Sequence, residues 1–80
     1  MIQFDNLAQL ADEMRSRGLD VDYEIVFAEE RYLEGLDVGE EFFPLWELIA
    51  PENEEALERG DFAAILSRRP PDWHLVPRPA

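Results

Sequence analysis

Between residues 20 and 58 the chain carries fourteen acidic side chains and one cation, Arg31. Ionised carboxylates stay at the surface unless paired, because burying an isolated charge is far costlier than one contact can offset. The elements of this stretch are read from the period at which apolar residues recur between the acids. Two periods are available, 2 for a strand and 3.6 for a helix, and each segment is read by the one it fits.

Leu7, Leu10, Ala11 and Met14 fall at i, i+3, i+4 and i+7, which predicts a helix over 6–17. Asp5 or Asn6 suits its N-cap and Gly18 its left-handed close. The pattern then switches: Val21, Tyr23, Ile25 and Phe27 alternate with Asp22 and Glu24, as in a strand. A helix over 22–36 competes, since Ile25, Ala28, Tyr32 and Leu36 also form a stripe. We read a strand at 21–27, a helical turn or two at 28–35, and a turn marked by Gly35, Asp37 and Gly39. Pro44 opens a short helix over 44–49 that Pro51 ends. Pro51 opens the next helix, whose first-turn acids Glu52, Glu54 and Glu55 suit the dipole and which closes at Gly60. Asp61 caps a last helix over 62–68. The expected fold is α+β: a small single domain, mostly helical, with a short strand near 21–27 and a C-terminal edge strand as a further candidate; all-α is the alternative. Residues 1–69 are expected to form the compact acidic domain. Residues 70–80 hold four of the six prolines and read as an extended arm, with Trp73, Leu75 and Val76 to dock it.

A hydrophobic content of 46% with nine aromatic residues separates this chain from disordered acidic tails, which lack the apolar mass to offset ordering entropy. There is no cysteine, so there is neither a disulfide nor a thiolate zinc site. No apolar run reaches the roughly 18 residues a membrane span needs. The first six residues lack the basic and apolar regions of a secretory signal, so the expectation is a soluble protein of a bacterial cytoplasm.

Catalytic chemistry is hard to assemble from these residues. The only hydroxyl nucleophiles are Ser16 and Ser67, and the only imidazole is His74, which has no second histidine or cysteine to complete a metal site. Asp20, Asp22 and Glu24 have the opening spacing of a calcium loop, but Ile25 stands at its glycine position and Arg31 at its bidentate glutamate. There is no glycine-rich phosphate loop. The expectation is a protein that is not an enzyme and uses no cofactor or metal.

The net charge of −12 remains to be explained. All seven cations are arginine, and four of them lie in residues 59–80, so the negative excess belongs to the middle of the chain. Charge of this sign repels nucleic acid and anionic membranes and attracts basic surfaces. Asp20, Asp22, Glu24, Glu29, Glu30, Glu34, Asp37, Glu40 and Glu41 are the candidate partner-binding residues. Glu30 with Glu34, and Glu54 or Glu55 with Glu58, have the spacing that on a helix separates side chains by ~5–6 Å, comparable with neighbouring phosphates. Phe42, Phe43 and Trp46 are the aromatics among the acids available as anchors, although each also fits a core position.

In length, charge and lack of catalytic motifs the chain resembles the small acidic anti-CRISPR proteins carried by bacteriophages, and phage antirestriction DNA mimics more broadly. The resemblance implies a stoichiometric inhibitor whose acids contact arginines and lysines of a Cas protein in a CRISPR surveillance complex, blocking DNA recognition. Two other classes stay open: an immunity protein or antitoxin neutralising a basic nuclease, and an adaptor domain, monomeric or dimeric, whose charge serves solubility.

Overall fold

The computed structural model describes residues 5–71 and 73. Helix α1 (Leu7–Ser16) is followed by strands β1 (Val21–Ala28), β2 (Arg31–Val38) and β3 (Glu41–Pro44). Helix α2 (Leu45–Leu48), a 3-10 turn (Pro51–Asn53), α3 (Glu54–Arg59) and α4 (Phe62–Ser67) complete the order. The strands form one antiparallel sheet in the order β1-β2-β3.

This corrects the expectation of a mostly helical domain with one short strand. Strands make up 29% of the described residues against 43% for helices, and 28–35 is not helical. Glu29 and Glu30 form a two-residue turn, and β2 runs from Arg31 back along the whole of β1. The reason lies in β2 itself. Leu33 and Leu36 are both buried, yet they point to opposite faces of the sheet, so the alternation that marks a half-buried strand is absent. The helical stripe Ile25, Ala28, Tyr32, Leu36 is a coincidence of spacing: its members lie on two strands. The C-terminal edge strand falls outside the described residues, as does most of the 70–80 arm.

Helix α1 occupies the range its stripe indicates. The Asn6 side chain accepts from the Gln9 N–H at 2.9 Å, and Gly18, at φ +89°, lets Leu19 N–H reach the Met14 carbonyl at 3.2 Å. Leu7, Leu10, Ala11 and Met14 form one core cluster with Val21, Leu36 and Phe43, which Leu48, Ala56, Leu57, Phe62 and Ile65 complete. The Phe43 and Phe62 rings meet at 5.3 Å.

Glycine is required at position 35. A Cβ there would lie 2.3 Å from the Phe43 carbonyl oxygen and 2.6 Å from the Phe42 ring. The Phe42 side chain thus lies over Gly35 on the sheet face away from α1. A backbone oxygen leaves no room for even a methyl group.

Candidate acidic surface and hairpin face

The register sorts the nine candidate acids. Asp22, Glu24 and Asp37 share one face of the sheet, with Asp22 directly opposite Asp37. Glu34 lies on the other face. Glu29 and Glu30 form the tip of the β1–β2 hairpin, while Asp20, Glu40 and Glu41 lie at the opposite end of the sheet. Seven residues separate Asp22 from Glu29, roughly 24 Å at the rise of an antiparallel strand. The structure therefore gathers three of the nine on a face and spreads the other six between its two ends and the reverse side. The helical spacing assumed for Glu30 and Glu34 does not exist.

Among the nine, the pairings differ. Asp22 faces Arg15 at 3.3 Å, and Glu41 faces Arg69 at 3.4 Å. Glu34 accepts from the Tyr23 hydroxyl at 2.9 Å, which raises the Tyr23 pKa, with slight desolvation and the Glu34 charge adding to the effect. The Glu24 pKa is raised by a hydrogen bond to the Asp37 carboxylate, then by slight desolvation and by the Asp37 charge. Asp20, Glu29, Glu30 and Glu40 are exposed and have no ion-pair partner among the described residues.

Five of the six described cations are spent on the chain's own groups; the sixth, Arg31, is exposed beside Glu29 and Glu30 at the hairpin tip. Arg15 pairs with Asp12 and donates to the Val21 carbonyl at 2.7 Å. Arg17 donates to the Glu58 carbonyl at 2.7 Å, and Arg59 lies near Glu55 and Asp61. Arg68 donates to the Glu52 carbonyl at 2.9 Å and to Asn53 at 3.3 Å. Arg69 is held most tightly, between Glu47 and the rings of Phe43 and Trp73. Arg68 and Arg69 lie among the four arginines of residues 59–80. They are structural, and nothing in the local sequence pairs Arg69 with Glu47.

The expected aromatic anchors are placed otherwise. Phe43 is core, Phe42 covers Gly35, and Trp46 is half-buried with its ring 6.0 Å from Trp73. The exposed aromatics are on the hairpin: Tyr23, Phe27 and Tyr32, joined by Ile25, all on the face opposite Asp22 and Glu24. That face runs from Val21 and Leu36 in the core outward past the end of β3, which pairs with β2 only as far as Gly35. The sequence signal was present in the length of the alternation Val21, Tyr23, Ile25, Phe27, which extends beyond what α1 can cover.

Other features are modest. A groove of about 480 Å³ lies between α2 and α4, walled by Trp46, Ile49, Pro51, Arg68 and Trp73. The indole N–H groups of Trp46 and Trp73 have no acceptor among the described residues. The Ser16 and Ser67 hydroxyls donate to the Glu13 and Ala64 carbonyls of their own helices at 2.6 and 2.7 Å, so neither faces a base. His74 lies outside the described residues. Among the described residues no cluster of acids or histidine has the arrangement of a metal site, and no helix is long and apolar enough to cross a membrane. Compared with known proteins, the chain matches no family model, no curated protein and no solved structure.

Proposed function

We propose that this protein is a stoichiometric inhibitor that binds a basic, nucleic-acid-binding surface of another protein and blocks access to it. One observation carries the reading: five of the six described arginines are committed to the chain's own carbonyls and carboxylates, while Asp20, Glu29, Glu30 and Glu40, at the two ends of the sheet, have no ion-pair partner among the described residues. Such a distribution leaves an excess of negative charge at the surface, which attracts a basic groove. The antiparallel strand also supports the mimicry of a backbone. At a rise of ~3.4 Å per residue, Asp22 and Glu24 on one face lie roughly 7 Å apart, comparable with neighbouring phosphates of one DNA strand. The resemblance in size and charge to phage anti-CRISPR proteins makes a Cas surveillance complex the target we favour, in a bacterial cytoplasm. A basic nuclease toxin would be met by the same physics.

The test has two arms. Protein retained from a host lysate is identified, and DNA is then added as competitor to the complex. Competition by DNA, and affinity that falls steeply from roughly 50 to 200 mM salt, support the proposal. Converting Asp20, Glu29, Glu30 and Glu40 to Arg should abolish binding with the circular dichroism spectrum unchanged. Undiminished binding by that variant would make the charge a solubility device and the protein an adaptor.

A further inference from the structure

The β1–β2 hairpin carries a surface that charge alone does not explain. Tyr23 is 38% exposed, Ile25 55%, Phe27 64% and Tyr32 77%, and all four lie on one face. The arrangement is ordered rather than loose. The Phe27 and Tyr32 rings pack across the strands at 5.0 Å, and the Tyr23 hydroxyl is anchored on Glu34. Beside this face runs the outer edge of β1, which pairs with no other strand among the described residues. The two-residue turn directs the backbone of Ala28 toward Arg31, and alternation then points the N–H and C=O groups of Tyr23, Ile25 and Phe27 out of the sheet. The edge has no proline, no lysine and no bulge across eight paired residues; Arg15 meets the Val21 carbonyl at its start, and Asp22 and Glu24 are its charged side chains.

We propose that the outer edge of β1 accepts an extended segment of the basic partner as a fourth strand. Apolar side chains of that segment lie beside Tyr23, Ile25 and Phe27, and its Arg or Lys side chains lie on the reverse face beside Asp22 and Glu24. This deepens the reading above and rests on it. Backbone hydrogen bonds along the edge supply affinity, and the two faces of β1 supply selectivity for a strand that alternates apolar with basic residues.

Charge decides between this occupant and a second copy of the chain. A copy would bring a further −12 to the interface. The exposed parts of the four side chains amount to roughly 450 Å², about half of the ~800 Å² per partner that a stable interface buries. A basic segment adds ion pairs and edge hydrogen bonds to that area; a second acidic copy adds repulsion.

The probes are two short peptides of identical composition, one alternating Val or Ile with Arg and one with its arginines clustered at one end. The alternating peptide should bind about tenfold more tightly at moderate salt, and amide exchange at Tyr23, Ile25 and Phe27 should slow on binding. Ile25→Pro removes an outward N–H that the native sheet does not use, and Phe27→Ser removes the exposed ring; each should erase the preference. Equal affinity for the two peptides would overturn this inference and leave the charge-based function standing. Failure of both peptides to bind at low salt would overturn both. Self-association of the free protein, with the same β1 amides protected, would show that the occupant is a second copy and overturn the proposal.

Discussion

Arg69 and Glu47 form a bidentate pair, Nε to Oε2 and Nη2 to Oε1, both at 2.8 Å, with side chains only 11% and 6% exposed. The same guanidinium donates to the Phe42 carbonyl at 2.6 Å and lies 3.8 Å from the Trp73 ring centroid and 4.7 Å from that of Phe43. The chain just past the end of α4 is thereby tied to β3, to α2 and to the last described aromatic. Glu47 is held in turn through its own carbonyl, which accepts from Asn53 at 2.9 Å. The pair joins the two ends of the helical half of the molecule.

Removing one partner of this pair should be severe. Arg69→Ala leaves the Glu47 carboxylate buried without its cation, a change that costs about 3–5 kcal/mol in comparable pairs. In so small a domain each kcal/mol is worth about 4–8 °C in Tm. Thermal denaturation should show Arg69→Ala largely unfolded near room temperature or melting far below the parent. Replacing both residues, Glu47→Leu with Arg69→Met, should cost less than the two single changes added together.

Gly35→Ala should fail for a different reason. Its new methyl group meets a backbone oxygen that cannot rotate away, so β3 must move off β2. A loss of ~3 kcal/mol, the upper end of overpacking costs, is expected in urea denaturation. Gly39→Ala, with nothing within 4 Å of its Cβ, should cost only the strain of its positive φ.

The hairpin tip carries strain that can be relieved. Glu29 and Glu30 sit at φ +55° and +61°, the left-handed values of a type I′ turn, where Asn-Gly is strongly preferred. Left-handed backbone disfavours ordinary residues by roughly 1–2 kcal/mol each, part of which glycine returns as unfolded-state entropy. Glu29→Asn with Glu30→Gly should raise the denaturation midpoint. The same change removes two unpaired acids, so partner affinity should fall while stability rises. Concurrent loss of both would show that the tip is not an independent turn.

Glu24 should make stability pH-dependent in a direction opposite to that of most carboxylates. The Glu24 pKa is raised by the hydrogen bond to Asp37, so the folded state binds that proton more tightly than the unfolded chain does. Its contribution is fully present below the ordinary value of 4.5 and is lost as pH rises through the raised folded value. At neutral pH the two carboxylates repel. Glu24→Gln should therefore match or exceed the parent in urea at pH 7 and lose that advantage below pH ~4. A difference between the two proteins that stays constant across this range would refute the raised Glu24 pKa.

Much of α1 is legible from sequence because everything that makes it is local: the 3.6-residue stripe from Leu7 to Met14, the Asn6 cap, and the left-handed close at Gly18. Strand β1 is legible for the same reason, since its alternation is visible within its own residues. The exposed character of the acids was also readable, because carboxylates without partners have nowhere else to go. Strand β2 was not. Its buried leucines face opposite sides, its turn uses glutamates at φ values that favour glycine, and its pairing is a property of two segments. Which acids share a face follows only from register, since a shift of one residue would exchange the Asp22 side for the Tyr23 side. The Arg69–Glu47 pair spans 22 positions and depends on where α4 ends against the sheet. Local periods determine single elements; pairings between distant segments are decided by the packing that brings them together.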